Sequence, residues 1–136
     1  MVGHAVVVPT VGPLLGAVTW GAWLGWDRTA SYDVVTGTVQ SPYVTLQVLG
    51  CALTVGTVTA VLTALGHPVA GTAGVALGFW LVWTVDAASR DDSGLFAVGS
   101  ILLAFGLALG TSVAAAVGWG VRPVTDAVRR RRAADS

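Results

Sequence analysis

The sequence predicts an all-α integral membrane protein, a four-helix transmembrane bundle. Three observations carry that prediction: four apolar runs each have the length of a membrane span, charge is excluded from their middles, and short polar or proline-containing segments separate them. Of its 136 residues 54% are hydrophobic and only 10% charged, with a mean hydropathy of +0.77. Soluble domains carry roughly 25% charged residues, so this chain lacks the polar surface needed to face water. Its length allows one domain and little else. Strands are a poor alternative, because the runs are continuous rather than alternating and too few to close a barrel.

A helix needs about 20 mostly apolar residues to cross the hydrocarbon core. The first run covers about 5–26, the second 43–66, the third 69–88 and the fourth 95–121. Together they form a transmembrane domain over residues 1–121, followed by an Arg-rich tail over 122–136. Pro9 and Pro13 lie in the first half of the first run, which predicts a helix start near Pro13 and a span of marginal length. A cleaved signal peptide is the competing reading of this run. Against it, no Lys or Arg precedes the run, and Trp20, Trp23 and Trp26 crowd the place where small residues should precede cleavage.

The connections follow. Residues 27–42 form a polar loop with turn formers at Gly37 and Pro42. His67-Pro68 is a very tight link that predicts antiparallel, neighbouring second and third helices. Residues 89–94 form the third connection, and Ser41 and Ser93 are placed to cap the helices that follow them.

Charge sets the expected orientation. Every basic residue is Arg and every acidic one Asp. Arg122, Arg129, Arg130, Arg131 and Arg132 follow the last apolar run, whereas the two longer loops carry one Arg each, offset by Asp. By the positive-inside rule the tail is cytoplasmic, both termini are inside and the 27–42 and 89–94 loops are outside. Trp20, Trp23, Trp26, Tyr43, Phe79, Trp80, Trp83 and Phe96 fall toward the outer interface on this topology, and Trp119 toward the inner one.

The halves of the chain look alike. Trp20, Trp23 and Trp26 lead into Asp27-Arg28, while Trp80 and Trp83 lead into Asp86 and then Arg90-Asp91-Asp92. Each returning helix ends in a basic or His residue before Pro-Val: His67-Pro68-Val69 and Arg122-Pro123-Val124. This pattern points to two tandem helical hairpins related by an axis along the membrane normal. Chance is the rival reading, since Trp at interfaces and Pro after helices are common.

Four groups of residues are candidates for function. Small residues recur four apart: Gly21 and Gly25; Ala52, Gly56, Ala60 and Ala64; Ala70, Gly74 and Gly78; Gly106, Gly110, Ala114 and Gly118. Such stripes let helix backbones approach closely, either within one bundle, the simpler reading, or against a second copy or membrane partner. Gln47, Cys51 and Thr54 put a polar face on the second helix, as interhelical glue or, less simply, as a conduction path. Asp27, Arg28, Asp33, Asp86, Arg90, Asp91 and Asp92 gather at the outer end, with Asp86 and Arg90 spaced to pair. These charges mark the water boundary; their spacing is not that of a metal site. Arg129, Arg130, Arg131 and Arg132 read as contacts for anionic lipid headgroups.

Catalysis in a membrane needs placed acids, bases, nucleophiles or metals. The lone Cys51 excludes an intrachain disulfide or dithiol and with it the chemistry of four-helix thiol oxidases. Small multidrug exporters rest on a Glu embedded in their first helix, and no acid lies in the first run here. Trp26-Asp27-Arg28-Thr29, Tyr32-Asp33, Thr36-Gly37, Pro42-Tyr43 and Gln47-Val48-Leu49-Gly50-Cys51, with Asp91-Asp92-Ser93-Gly94-Leu95, resemble a group of uncharacterised small integral membrane proteins of actinobacteria. The Ala, Val, Gly and Arg bias fits a GC-rich bacterial genome. The resemblance implies four spans in a bacterial plasma membrane and no particular activity. The expectation is therefore a non-catalytic structural, accessory or interaction subunit without cofactor, metal or nucleic-acid partner, in contact with the lipid bilayer and with itself or a membrane partner. A small oligomeric transporter or channel is the alternative.

Overall fold

The computed structural model describes residues 2–26, 31–35, 37–40 and 45–134, the side chains of 2–9, 31–33, 38–40 and 125 excepted. The described residues are mainly helical, in four α-helices. Helix α1 runs Val2–Trp23, α2 Thr45–Ala64, α3 Val75–Ala88 and α4 Phe96–Ala134. A π-helical turn at Ala70–Gly74 leads directly into α3. Three helical segments are long and apolar enough to cross a membrane: Thr45–Ala64, Ala70–Ala88 and Phe96–Ala134. Helix α1 has 22 residues, about 33 Å at 1.5 Å per residue.

Two boundaries differ from those read in the sequence. Helix α1 does not wait for Pro13 but begins at Val2, with both prolines inside it. Proline removes one intrahelical hydrogen bond, yet membrane helices tolerate it where neighbouring groups cover the freed backbone. Helix α4 does not stop at Val121. It continues through Pro123 to Ala134, 39 residues or about 58 Å, so the Arg-rich tail is an extension of the last helix. Arg131 and Arg132 lie in its last turn, where cations complement the helix dipole.

The first connection holds a feature unforeseen in the sequence. Strands β1 (Ser31–Asp33) and β2 (Thr38–Gln40) pair antiparallel, with Tyr32 opposite Val39. Gly37 adopts φ +65° in the turn between them, a region that costs a side chain energy and suits glycine. Ser41, Pro42 and Tyr43 lie outside the described residues, as do Asp27 and Arg28.

Helix α2 ends in a Schellman motif. Gly66, at φ +95°, donates its N–H to the Thr63 carbonyl at 3.0 Å, and His67 donates to Leu62 at 2.8 Å. Pro68 follows at once, so the helix cannot continue. This tight turn joins α2 to the π turn, as His67-Pro68 suggested; α2 packs on that turn at Ala70–Gly74 and touches the rest of α3 only slightly. Helix α1 packs mainly on α3 and α2 mainly on α4, with smaller α1–α2 and α3–α4 contacts. The helices alternate in direction, so the start of α1 and the far part of α4 lie at the same end as the α2–α3 turn.

Close backbone approach explains the α1–α3 pairing. Gly12 sits against the Ala70 carbonyl and the Gly74 Cα, and a methyl group on Gly16 would stand 2.8 Å from the Phe79 nitrogen. Gly78 in turn lies on the Pro13 backbone, where an added methyl would come within 2.6 Å of Cα. The π turn belongs to this contact. It turns Ala70 and Gly74 toward Gly12, while the Gly71 carbonyl accepts the Thr59 hydroxyl of α2 at 3.0 Å.

The hairpin likeness has a structural counterpart. The Trp23 ring of α1 covers Gly50 of α2, and the Trp83 ring of α3 covers Gly99 of α4. The expected axis does not hold, however. A two-fold parallel to the helices would set α1 diagonal to α3 and α2 diagonal to α4. Here those are the two most extensive pairings, and the diagonals are α1–α4 and α2–α3. The two hairpins stand side by side.

Candidate functional site

The centre of the assembly is small and mixed in character. Trp20, Leu24, Cys51, Val55, Val75 and Phe79 form the buried apolar cluster. Thr19, Gln47, Thr59, Thr63, Ser100 and Thr111 are the buried polar side chains, so no charged side chain is buried among the described residues. Thr19 and Thr111 return to their own helices, donating to the Leu15 carbonyl at 2.8 Å and the Leu107 carbonyl at 2.7 Å, as does the partly buried Thr54 to Gly50 at 2.8 Å. In a lipid environment such a bond satisfies a hydroxyl without water.

The polar face of α2 divides. Gln47 and Cys51 are buried on a stripe that continues through Val55, Thr59 and Thr63. Thr54 lies on the flank toward α1, where it accepts the Trp23 indole N–H at 3.1 Å. That bond fixes the Trp23 ring over Gly50. In the second hairpin the Trp80 indole donates to the Ser100 carbonyl at 3.0 Å, and the Thr84 and Ser100 hydroxyls meet at 2.9 Å. Tryptophan thus ties each outgoing helix to its returning one. The Thr enrichment of α2 in the sequence runs on through Thr57, Thr59 and Thr63, and two of these are buried here; Ser100, an isolated hydroxyl with no short-range pattern, was missed.

A crevice of about 300 Å³ opens beside Cys51 and Thr111, walled by Leu24, Phe79, Leu103 and Gly106. All four helices contribute to it. It offers a thiol and a hydroxyl but no carboxylate, imidazole or ammonium group.

Of the small-residue stripes, some faces meet and others do not. Gly118 lies against the Ala60 carbonyl of α2, joining the α2 and α4 stripes. Gly74 and Gly78 meet α1, but at Gly12 and Pro13 rather than at Gly21. An added methyl on Gly21, Gly56, Gly106 or Gly110 would meet nothing within 4 Å. The Gly12–Gly16 spacing was present in the sequence and carried the signal that the first-helix reading missed.

At the loop end, Arg90 and Asp86 form the i,i+4 ion pair, although α3 itself stops at Ala88. Asp91 is committed to structure: its carboxylate accepts the Ser93 N–H at 2.7 Å, the Ser93 hydroxyl and the Phe96 N–H at 2.5 Å. These hydrogen bonds, the Ser93 hydroxyl first, hold the Asp91 carboxyl below the usual carboxylate range. Asp91 therefore caps α4 at Phe96, and Ser93, expected in that role, donates to Asp91 and accepts the Leu95 N–H at 3.4 Å. Asp92 is exposed, and among the described residues no three His, Cys, Asp or Glu side chains converge.

At the opposite end, Arg122 lies over the Gly66 turn, 3.3 Å from the position a Cβ there would take. Arg129, Arg130, Arg131 and Arg132 are all exposed on the extension of α4. Comparison with protein-family models, curated proteins and solved structures gives no match for this chain.

Proposed function

We propose that the four helices form a transmembrane bundle in a bacterial plasma membrane, and that the protein is a non-catalytic structural, accessory or interaction subunit. The observation that carries this reading is where polarity lies. The described charged side chains stand at the two ends of the helical assembly, and the polar groups buried between the ends are hydroxyls, one amide and one thiol. Proton coupling and most membrane catalysis use an ionisable group at depth. Small residues and back-bonded hydroxyls are instead the means by which helices pack in lipid.

In the proposed orientation both termini are cytoplasmic, the Asp-rich connections face outside and α4 carries its arginines past the inner boundary. The kinship with small actinobacterial membrane proteins read from the sequence belongs to the same proposal. Its partners are the bilayer and a second copy or membrane protein at the apolar outer faces. Purified protein in liposomes tests the reading against the transporter or channel alternative. Ion and small-solute flux should equal that of protein-free vesicles. Flux that disappears on changing Gln47 or Asp86 would establish the alternative instead.

A further inference from the structure

The four arginines at the end of α4 are not equivalent. A groove of about 510 Å³ runs between the last turns of α2 and the extension of α4. Val61 and Leu65 form one wall, and Val117, Val121, Val124 and Val128 the other. Arg129 and Arg132 line its far end, whereas Arg130 and Arg131 do not line it. Positions 117, 121, 124, 128 and 132 follow one stripe at i, i+4, i+7, i+11 and i+15; Arg129 flanks it on the side of Gly118, which also lines the groove, Arg131 flanks the other side, and Arg130 turns to the opposite face.

The valines of this groove are exposed over about half of their surface, from 46% at Val121 to 62% at Val124. Val124 and Val128 also lie beyond Arg122, outside the run that reads as a span. An apolar furrow that ends in two arginines matches a molecule with an apolar chain and an anionic head. From Val117 to Arg132 the furrow measures about 22 Å at 1.5 Å per residue. Side chains at i and i+3 are neighbours on a helix, so both guanidinium groups reach one phosphodiester, with the forked geometry that arginine offers phosphate oxygens.

We propose that this groove is a binding site for one anionic glycerophospholipid, its acyl chain along Val121, Val124 and Leu65 and its phosphodiester on Arg129 and Arg132. The proposal rests on the membrane-spanning reading above and sharpens its headgroup contact from four arginines to two. Native mass spectrometry of the full-length protein in detergent tests it, with phosphatidylglycerol, phosphatidylcholine and inorganic phosphate as probes. The expected result is one retained phosphatidylglycerol, at least tenfold preferred over phosphatidylcholine and not displaced by inorganic phosphate at equal concentration. The Arg129→Ala/Arg132→Ala variant should lose that preference, and the Arg130→Ala/Arg131→Ala variant should keep it. Equal loss in both variants would reduce the effect to a general polybasic attraction and overturn the site. So would displacement by inorganic phosphate, because the chain groove would then play no part. Alkaline carbonate extraction of the same protein keeps the two readings apart. Protein that stays in the membrane pellet but shows no lipid preference removes the site alone, whereas protein released from the pellet removes the spanning reading with it.

Discussion

Asp91 shows how a single loop side chain starts a long helix. The first N–H groups of a helix have no partner within it, and here one carboxylate takes the Phe96 N–H and, through a second oxygen, orders Ser93. A negative charge at that position also complements the helix dipole. Sequence alone pointed to Ser93, because an N-cap is ordinarily read one residue before the helical run. The Asx-type turn moves the acceptor back to Asp91. The sign of the linked pH effect follows. The folded-state pKa is depressed, so this contribution is present above the unfolded-state pKa and is lost as pH falls through the lower folded-state value. An NMR titration should place Asp91 below the usual carboxylate range, and Ser93→Ala should move it back up. An Asp91 that titrates normally in the wild-type protein would contradict this account of the cap.

At the scale of elements, the question is which helix faces meet. Every helix carries small residues at four-residue spacing, so the stripes by themselves could not select among pairings. The deciding features are the π turn at Ala70–Gly74 and the close contact of the Pro13 backbone with Gly78, neither of which has a hydropathy signature. Together they bring Gly12 onto Ala70 and Gly74, Pro13 onto Gly78, and Gly16 onto Val75 and Phe79. The tight His67-Pro68 turn was legible because Gly-x-Pro at a helix end has a local cause. Its two helices stay in contact at the π turn and then diverge, because a short turn constrains only the helix ends. The packing is open to a paired test. Gly78→Ala forces a methyl into the Pro13 backbone and should destabilise the protein by about 1–3 kcal/mol, as overpacking does. Gly110→Ala meets open space and should be neutral or stabilising by up to about 1 kcal/mol. Thermal unfolding in detergent measures both. Equal effects of the two substitutions would mean that α1 and α3 do not cross at this point.

For the whole molecule, the surface is the informative part. Leu46 is 75% exposed, Leu109 70% and Phe105 67%, on helices whose interior holds Thr59, Thr63 and Thr111. Apolar residues outside and hydroxyls inside invert the pattern of a water-soluble domain and suit lipid. Composition made that legible at once, since four long apolar runs with so few charges have no soluble solution. The continuation of α4 past Arg122 was not legible in the same way. Hydropathy ends where the charges begin, but a helix rich in Ala and Arg does not, and one proline removes a single hydrogen bond. The hairpin in the first connection escaped for a related reason: strands of three residues are too short for an alternation to register.

The central claim is four spans with the arginine end of α4 in the cytoplasm, and fusion topology mapping tests it most directly. Reporters placed at Thr36 and at Asp92 should score as external. Reporters placed before Val2 and after Arg132 should score as cytoplasmic. An external score after Arg132 would reverse the orientation, and an external score before Val2 alongside a cytoplasmic one after Arg132 would leave three spans in place of four.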